Sequence, residues 1–515
     1  MFKKITQYLS LALLLIFPIT LLSSCGGGGN IDVVTSVKQL NDEAARIGVL
    51  TGCNHDEHVE KKIPNATIDY FNSNSDMVIN LQTGKIRAAA CDQPVARTIL
   101  TQYDNISMLD EMLENLDYAF IFHKSPEVVT INNEVNHYID GIKANGQLDA
   151  LQKKWFDAAD LSKVDMTSYA DLPATKGTIR AAVADNPPFV FTVTDSFAGF
   201  DVEVLALFCK ENGYALEISN VSVDAIVASV VSGKSDVGCG GFTITEERKA
   251  TMNFSSTLYS GGTALIVLNG KPAGGNMNFF EMIADGFDKT FIREDRWKLF
   301  LSGIVTTLLI TFLSIVLGTG IGFGVFLLCR NGNKAFNIVA KVCAYIIQGL
   351  PAVVLLMIFY YIIFGSVSIP GEYVSVFAFT LIFGAGVFNM LKGGVATVDK
   401  GQMEAAFALG YRERKAFFKI ILPQALPHML PTYKGEITSL IKATAIVGYV
   451  AVQDVTKVGD IIRSRTFEPF FPLISIAILY FVLAALLILI VNLIGKTLDT
   501  KHRKNKKLLK GVKLS

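Results

Sequence analysis

Apolar positions divide the 515-residue chain into two unlike parts. Before about residue 297, short runs with the period-two pattern of β-strands alternate with runs that have the helical period. The strand candidates are residues 46–50, 87–91, 118–122, 179–183 and 236–239. We therefore predict an α/β domain in this part, because strands that alternate with helices are typical of that class.

Beyond about residue 297 the chain is strongly apolar. Five apolar runs are each long enough to cross a hydrocarbon core of about 30 Å. They cover residues 299–329, 337–365, 373–391, 436–453 and 472–495. We predict an all-α membrane domain of five transmembrane helices over residues 298–500. In the first run, Gly318, Gly320, Gly322 and Gly324 are spaced for the close approach of another helix.

The N-terminus has the pattern of an export signal. Lys3 and Lys4 precede an apolar run, residues 9–22, that is short for a membrane span. The following Leu-Ser-Ser-Cys resembles a lipobox, at which bacterial lipoprotein signals are cut and the cysteine is acylated. We predict a signal peptide over residues 1–25 with lipidation at Cys25, and a glycine-rich tether over residues 26–33. Cleavage elsewhere, or an uncleaved signal anchor, is the alternative.

Either reading of the N-terminus places the α/β domain outside the cytoplasm, and the charge pattern agrees with that topology. With five spans, the first, third and fifth end in the cytoplasm. Basic residues follow each of these three, including the tail over residues 501–515. Arg463 and Arg465, on the predicted outer side, are exceptions. We predict a multi-pass protein of the bacterial cytoplasmic (inner) membrane.

Composition and motifs exclude several functions. A net charge of +1 gives no reason to expect a nucleic-acid partner. The triplets at Gly233 and Gly495 resemble the end of a phosphate-binding loop but lack the upstream glycine. No catalytic motif is found, so we predict that the chain is not an enzyme and holds no cofactor.

Cysteine chemistry stays open. Disulfides are permitted outside the cytoplasm, and Cys53, Cys91, Cys209 and Cys239 are the candidates, although their spacing does not pair them. The chain has no cysteine pair with the two-residue spacing that is typical of structural zinc sites, so no metal is expected.

Residues 400–431 form a basic, helix-favouring segment between the third and fourth apolar runs. Glu404, Ala405 and Ala406 begin a helix, and Gly410 provides a break. Three prolines, Pro423, Pro427 and Pro431, should end the helix that follows. The pattern predicts two short helices joined by a turn.

This segment resembles the EAA loop of ABC importer permeases. The shared features are the Glu-Ala-Ala, a glycine four residues after its second alanine, and an Ile-Leu-Pro ending. Lys-Gly-Gln ahead of it and SLIKATAIVGYV after it are similar to the polar amino acid subfamily of the histidine and glutamine type. The resemblance implies that Glu404, Ala405, Ala406 and Gly410 couple the chain to a separate ATPase that carries the ATP. It also implies a homodimer or a sister permease.

Two parts of the α/β region resemble the two-lobed amino-acid-binding proteins of ABC importers, in reversed order. Residues 177–270 resemble the opening section of that family, through IRAAVADNPPFVF, GFDVEVLALF and GFTITEERK. Residues 34–158 resemble the later section, through IGVLTG, LQTGKIRAAACDQPVA and ANGQLDALQKKWF. Two truncated tandem domains are one explanation. One circularly permuted domain is simpler, because the parts sum to about 220 residues.

Permutation gives the remaining boundaries. Residues 159–176 would be the linker that joins the old ends. Residues 271–297 would be an amphipathic connector to the membrane domain. Since the family's hinge strand corresponds to the last part of the domain, we expect the membrane connection to leave close to the hinge.

A free amino acid needs an anion site for its carboxylate. Arg248 is the candidate, because a guanidinium can donate two parallel hydrogen bonds to a carboxylate. Gly241 and Thr243 offer backbone and hydroxyl donors, and Thr243 with Glu246 has capping-box spacing, which predicts a helix N-terminus there. These residues match the ligand segment GxTITxxR of the family that the domain resembles.

The resemblance also implies residues for the rest of the ligand. Asp92 matches the acidic residue that holds the ammonium group, and Thr51 and Gly52 match a lobe-two loop that contacts the carboxylate. Asn186, however, stands where the family often has an aromatic residue, and Val223 stands where another often covers the ligand. The residues that would bind the amino and carboxylate groups match the family, whereas the aromatic residues that would cover the side chain are absent. The sequence therefore does not identify the amino acid.

Taken together, these resemblances predict an ABC importer permease with a fused, permuted binding domain that takes up a polar amino acid. Within the membrane part, Gln348, Asn389 and Lys392 also depart from the family's pattern and either tune the pathway or serve packing. An amino-acid-sensing receptor or a ligand-gated channel is the alternative. A channel should carry a selectivity filter resembling TVGYG, and a sensor should carry a signalling domain after its last span; neither is visible.

Overall fold

The structure is a computed structural model that describes residues 33–193, 196–270, 279–330, 334–365, 367, 369–466 and 470–498. The predicted signal peptide with Cys25, nearly all of the predicted tether and the basic tail lie outside these residues.

The first half of the α/β domain alternates strands and helices as the periodicity predicts. Its elements are β1 (Arg46–Leu50), α1 (His55–Lys62), β2 (Thr67–Phe71), α2 (Asn74–Gln82), β3 (Ala88–Asp92), α3 (Gln93–Gln102), β4 (Ile106–Met108), β5 (Glu114–Phe122), α4 (Pro126–Ala144) and α5 (Gln147–Phe156). The strand candidates of this half agree with β1, β3 and β5.

The second half repeats the alternation. It contains β6 (Thr178–Val183), β7 (Phe191–Val193), β8 (Ser196–Ala198), α6 (Phe200–Asn212), β9 (Ala215–Asn220), α7 (Val223–Val231), β10 (Val237–Thr243), α8 (Glu246–Thr251), β11 (Asn253–Phe254) and β12 (Tyr259–Leu268). Here the candidates agree with β6 and β10.

One sheet joins the two halves in the order β2-β1-β3-β12-β5-β10-β6-β9. Strands β1, β2 and β3 are parallel and form lobe two, and β6, β9 and β10 are parallel and form lobe one. The long strands β5 and β12 run antiparallel to each other and pass between the lobes. This topology confirms one two-lobed domain of the binding-protein type, with the lobe-two part first in the chain.

Side-chain contacts between the two sequence parts close the permuted domain. The indole Nε1 of Trp155, on α5, donates to buried Glu203 on α6 at 2.7 Å, and Lys154 Nζ donates to the same carboxylate at 2.7 Å. The segment between α5 and β6 lies against lobe one, where the Tyr169 hydroxyl accepts from the backbone N–H of Phe197 at 2.7 Å. The predicted linker is therefore a packed part of the domain.

The chain leaves the domain from lobe two, which corrects the expected exit near the hinge. Strand β12 pairs with β5 only as far as Thr263, then pairs with β3 and finally with β4, where Leu268 faces Ile106. The exit thus lies roughly 16 Å beyond the last hinge pair, because a strand rises about 3.3 Å per residue. Val33 lies beside Gly270, so both ends of the domain are at the same edge.

The membrane domain follows a short helix, α9 (Phe279–Phe287). Its helices are α10 (Trp297–Arg330), α11 (Lys334–Gly349), α12 (Ala352–Met357), α13 (Gly371–Ala396), α14 (Gly401–Ala408), α15 (Glu413–Ala416), α16 (Leu422–Ala443), α17 (Val455–Thr466) and α18 (Phe470–Leu498). Three helices, α10, α13 and α18, are long and apolar enough to cross a bilayer as single spans.

The other two predicted spans are broken. Residues 334–349 and 352–363 meet at 108°, and residues 413–450 and 455–466 meet at 53°, so the described residues contain five spans only if each bent pair counts as one. The first bend lies at Pro351, which lacks a backbone N–H and disfavours helical geometry in the residue before it. The second follows Ala451, whose φ of 61° is left-handed.

The prediction that prolines end the second helix of the EAA segment is wrong. Helix α16 continues through Pro427 and Pro431 to Ala443. Pro423 lies in its first turn, where a proline costs no hydrogen bond. The two interior prolines are four residues apart and so share a face, and packing against neighbouring membrane helices allows such residues in a span.

Two of the four glycines between residues 318 and 324 of the first span allow close helix packing. A Cβ on Gly322 would lie 2.5 Å from the carbonyl oxygen of Gly384 on α13, and one on Gly318 would lie 2.9 Å from the carbonyl oxygen of Thr380. A Cβ on Gly320 or Gly324 would meet no atom of a neighbouring element within 4 Å. The contact between α10 and α13 therefore uses one glycine face, with a spacing of four residues.

Candidate functional site

The cleft between the lobes collects most of the predicted ligand residues. The structure brings together Gly52, Asp92, Asn186, Gly241, Thr243 and Arg248 around one small cavity. They meet because the carboxyl ends of β1, β3 and β10 face the same crevice, the usual ligand position in parallel sheets. Thr51 does not line this cavity; it lies in the wall of an adjoining chamber described below.

Arg248 bridges the two lobes. Its Nη1 donates to the Thr243 hydroxyl at 2.9 Å, and its Nη2 donates to the Gly52 carbonyl of lobe two at 3.1 Å. The predicted capping box at Thr243 is wrong, because Thr243 ends β10 and the side chain of Thr245 caps α8 instead, accepting from the Arg248 N–H at 3.2 Å. The guanidinium is held where it can exchange protein oxygens for a ligand carboxylate.

Asp92 is buried at the end of β3 and has two partners that the sequence analysis missed. The Tyr118 hydroxyl donates to its Oδ1 at 2.7 Å, and His55 Nε2 lies 3.1 Å from the same oxygen. Burial and the neighbouring carboxylate raise the pKa of Tyr118, so this phenol stays protonated as a donor. The sequence signals were weak: His55 follows the Thr51 loop, and Tyr118 lies inside a strand candidate.

The backbone N–H of Gly241 is not available for a ligand in this conformation. It donates to Asp201 Oδ2 at 3.0 Å, and the N–H of Gly240 donates to the same oxygen at 2.8 Å. Gly241 has a φ of 79°, and a Cβ there would lie 2.8 Å from the ring of Phe189, so only glycine fits. Burial raises the pKa of Asp201 to about 6 although these two hydrogen bonds lower it.

The two lobes are closed on each other. Apart from Arg248, the Thr243 hydroxyl donates to Asn54 Oδ1 at 3.1 Å, and Asn74 Nδ2 donates to Asn186 Oδ1 at 3.1 Å. The enclosed cavity is about 30 Å³, room for about one or two waters. These cross-lobe hydrogen bonds would have to break before a molecule the size of a free amino acid could enter the cavity.

A second cavity, which we call the chamber, lies between the cleft and the membrane domain. It has a volume of about 280 Å³ and is bounded by Thr51 and Asp185 of the binding domain and by Gly448, Tyr449 and Lys457 of the membrane domain. Three residues, Leu50, Ala184 and Val223, line both the cleft and the chamber. One layer of side chains therefore separates the two spaces.

The membrane domain contacts both lobes around the chamber. In lobe two, Asp76 forms an ion pair with Arg463 of α17, and the Ser75 hydroxyl donates to the Arg463 carbonyl at 2.7 Å. In lobe one, the Val221 carbonyl accepts from Lys457 at 3.0 Å. These contacts give a structural role to Arg463, one of the two basic residues that the charge pattern placed unexpectedly on the outer side.

Lobe one has a further contact on the loop before α13. Lys234 Nζ donates to the Val367 carbonyl at 2.6 Å and lies 4.8 Å from the centre of the Tyr360 ring. Lys234 is buried, which lowers its pKa. Through its hydrogen bond to the Val367 carbonyl, the ammonium group links lobe one to the membrane domain.

The EAA segment presents an apolar surface at its turn. Glu404, Ala405 and Gly410 are exposed, whereas Ala406 is buried against the membrane domain. Gly410 has a φ of 78° and ends the first helix by donating from its N–H to the Phe407 carbonyl at 2.9 Å. Phe407 and Leu409, which the sequence analysis did not single out, are 49% and 76% exposed. Large exposed apolar side chains beside a turn are typical of a docking surface.

The EAA segment and the binding domain lie at opposite ends of α10. That helix begins beside the connector at Trp297 and ends at Arg330, which pairs with Glu413 of the EAA segment at 2.9 Å. A helix of 34 residues is roughly 50 Å long. The two surfaces are therefore separated by the full thickness of the membrane domain.

Other residues singled out in the sequence have simpler positions. Among the described residues Cys53, Cys91, Cys209 and Cys239 are free thiols, so no disulfide forms between the four candidates. Burial raises the pKa of Cys53 to about 12. Asn389 Nδ2 donates to Gln348 Oε1 at 2.7 Å, so these two departures from the family's pattern are partners.

Comparisons with known proteins agree with this architecture. The family model described as "Binding-protein-dependent transport system inner membrane component" matches residues 320–504. The "Putative glutamine transport system permease protein GlnP" of Rickettsia conorii is 33% identical over 199 residues, which are 38% of this chain and 90% of that protein. The "Arginine transport system permease protein ArtQ" of Bacillus subtilis is 32% identical over 211 residues, 40% of this chain and 93% of that protein.

Two solved structures each match part of the chain. A crystal structure of an amino acid ABC transporter with histidines is 30% identical, with a TM-score of 0.38, and the match covers 43% of this chain and 100% of that one. The VFT2 domain of Bordetella pertussis BvgS is 10% identical, with a TM-score of 0.25, and the match covers 46% of this chain and 88% of that one.

Proposed function

The chain belongs to the family of binding-protein-dependent transport system inner membrane components, and we propose that it imports a polar amino acid with a binding domain built into the same chain. The observation that carries this proposal is the chamber. A closed ligand cleft lies directly above it, and the broken fourth span forms its floor.

The cleft supplies groups for both ends of an amino acid. Arg248 and the Thr243 hydroxyl would bind the carboxylate, and Asp92 would accept from the ammonium group. Asp92 already accepts from Tyr118 and contacts His55, so ligand entry would displace the imidazole or place the ammonium beside it. A zwitterion fits this pair of opposite charges better than a sugar does.

The route out of the cleft would cross the layer formed by Leu50, Ala184 and Val223. The chamber is about nine times larger in volume than the closed cleft, which leaves room for a released ligand. Lys457 and Asp185 place both signs of charge on its walls. Release into the chamber would thus keep the zwitterion solvated until the permease opens inward.

The energy would come from a separate ATPase that binds the EAA segment. Phe407 and Leu409 are exposed beside Glu404 and Ala405, and apolar anchors of this kind carry much of the binding energy in protein interfaces. A second permease chain, either a second copy or a sister protein, would complete the pathway. In this arrangement the binding domain faces the outside and the EAA segment faces the cytoplasm.

Ligand binding is the direct test. The purified full-length chain should be screened by thermal shift against the common amino acids, with sugars and short peptides as comparison ligands. We expect stabilisation by at least one polar amino acid. Stabilisation by sugars or peptides alone would contradict the proposed substrate class.

Arg248→Ala tests the clamp. Truncating one partner of a buried charge pair costs about 2 kcal/mol or more, so the affinity should fall by roughly thirtyfold or more while the fold stays intact. Arg46→Ala is the matched control, because Arg46 pairs with Asp69 on the surface of lobe two, outside the cleft. Unchanged affinity in Arg248→Ala would mean that the clamp is misassigned.

A further inference from the structure

A third cavity, which we call the connector pocket, lies outside the cleft and the chamber. Its volume is about 600 Å³, and it lies where the end of α3, the segment after α5 and the connector before α10 meet. The first residues of α10 follow directly, so the pocket lies at the level where the chain enters the membrane.

Two buried arginines share one carboxylate in this pocket. Arg296 Nη2 lies 3.2 Å from Glu294 Oε2, and Arg465 Nη2 lies 2.5 Å from the same oxygen. The arginine side chains are only 7% and 6% exposed. Two guanidinium groups and one carboxylate leave an excess positive charge, which is costly in a buried place unless an anion joins them.

The other charges of the pocket do not cancel this excess. Lys289 pairs with Asp285 at 2.7 Å, and Arg293 pairs with Asp288 at 2.8 Å. Asp160, which also lines the pocket, pairs with Lys163 at 3.0 Å. Each of these groups has its own counter-ion. The charge of Asp185 also acts on Arg465, but the two form no ion pair, so Glu294 is the only carboxylate in contact with Arg296 and Arg465 among the described residues.

Arg465 also has an unused donor. Its Nη1 is buried and has no hydrogen-bond partner among the described residues. The guanidinium carbon lies 5.7 Å from the centre of the Phe191 ring, which covers one face of the group and offers no acceptor. A buried donor without a partner costs about 1–3 kcal/mol, so the site lacks an acceptor oxygen.

The surroundings indicate where such an oxygen would come from. Ile292, Trp297 and Leu301 are 54%, 47% and 53% exposed around the start of α10. Exposed apolar and tryptophan residues at the end of a span are typical of the membrane interface. Basic groups at that level lie among lipid phosphates.

We infer that the connector pocket binds a phosphate group through Arg296 and Arg465. Arginine suits this ligand because its planar fork matches two phosphate oxygens. The phosphate would belong to the headgroup of an anionic phospholipid or to free phosphate in solution. Either one would tie Arg296 of the connector to Arg465 of α17, whose guanidinium also lies on Phe191 of lobe one, and so would join the connector, the permease and the binding domain at one point.

The test uses the purified full-length chain in nanodiscs. Wild-type protein is compared in phosphatidylcholine, in phosphatidylcholine with phosphatidylglycerol, and in phosphatidylcholine with millimolar inorganic phosphate. We expect the melting temperature to rise by at least roughly 2 °C with phosphatidylglycerol or with phosphate. A rise with the lipid alone assigns a headgroup, and a rise with inorganic phosphate assigns the free anion.

Variants assign the rise to the pocket. Arg296→Gln and Arg465→Gln should each abolish it. Lys298→Gln is the matched control, because Lys298 is a neighbouring cation that pairs with exposed Asp295 and does not line the pocket. The inference is overturned if neither phosphate source raises the wild-type melting temperature, or if both glutamine variants keep the full rise. A missing rise in wild type overturns the inference even if a variant fails to fold.

Discussion

Asp201 fixes the backbone of the ligand loop. It is buried, and one of its oxygens accepts from the N–H groups of Gly240 and Gly241, whose φ angles of 135° and 79° are open to glycine alone. The carboxyl therefore holds the two glycines at the start of GxTITxxR in their positive-φ conformation. Its own protonation should be visible in the stability of the domain.

Asp201→Asn should flatten part of the pH dependence of stability. The pKa of this carboxyl is about 6 in the folded chain, against an ordinary value of 3.8. Between pH 4 and 6 the unfolded chain loses this proton while the folded chain keeps it, so stability falls as the pH rises through this window. The loss is on the order of 3 kcal/mol above pH 6.

The measurement is thermal unfolding of the full-length chain from pH 4 to 7, followed by tryptophan fluorescence, to which buried Trp155 of this domain contributes. The asparagine variant should lose less stability across this range than wild type. Asp69→Asn, at an exposed pair with Arg46, should keep the wild-type slope. Parallel curves for wild type and Asp201→Asn would show that Asp201 does not titrate in this range.

At the scale of elements, the EAA turn depends on a left-handed glycine. Gly410 closes the first helix through its N–H, and a Cβ there would meet no neighbour within 4 Å. Glycine is therefore required at this position because of the positive φ, since a side chain would not clash with any neighbour. Changing that conformation would reorient exposed Leu409 and Phe407 together.

Gly410→Pro should uncouple transport from ATP hydrolysis. Proline cannot adopt a positive φ, it lacks the N–H that bonds Phe407, and it disfavours the helical geometry of Leu409. We expect uptake of labelled amino acid to fall by at least about tenfold while ligand binding to the purified chain is unchanged, because more than about 1.4 kcal/mol of interface contact would be lost.

Gly84→Pro is a close control for this change. Gly84 has a φ of 70°, its N–H bonds the carbonyl of Leu81, and Thr83 before it has the same geometry as Leu409. This turn lies on the surface of lobe two, so its disruption should leave coupling intact. Normal uptake by Gly410→Pro, or an equal loss in both variants, would count against a coupling role for the segment.

At the scale of the whole molecule, the two lobes are attached to the membrane domain differently. Both ends of the binding domain leave from one edge of lobe two, where Val33 lies beside Gly270. Lobe one has no chain end and reaches the permease through side chains, chiefly Lys234 and Lys457. Opening of the cleft should therefore move lobe one against an anchored lobe two.

Lys234→Met should separate ligand binding from transport. Methionine keeps an unbranched side chain over Tyr360 but removes the ammonium group that donates to the Val367 carbonyl, a charged hydrogen bond of about 1.5–3 kcal/mol. Affinity for the amino acid should be unchanged, because Lys234 does not line the cleft. Uptake should fall several-fold. Lys210→Met, at an exposed position on α6, is the control and should transport normally.

If Lys234→Met imports at the wild-type rate, docking of lobe one through this contact has no part in transport. If it weakens ligand binding as much as uptake, the residue acts on the cleft instead. The two measurements thus distinguish a contact that transmits closure from one that only stabilises the lobe.

Many of the strands and helices could be predicted from local patterns in the sequence. Period-two runs located β1, β3, β5, β6 and β10, and apolar length located α10, α13 and α18, since each pattern depends on neighbours a few residues apart. The reversed order of the binding-domain sections could also be predicted from the sequence, because each section retains its own motifs. Helix breaks were predicted less well: Pro427 and Pro431 continue a helix because surrounding helices in the membrane compensate for them.

The sequence by itself determined the order of the parts, the long straight spans and the residue types of a cleft with one cation and one carboxylate. Only the tertiary structure decided which distant residues these groups contact. His55 reaches Asp92 across 37 residues, and Ser75 reaches Arg463 across 388. Such pairs leave no periodic trace in the chain, because they depend on how whole lobes and helices are positioned. The chamber and the connector pocket are products of that positioning.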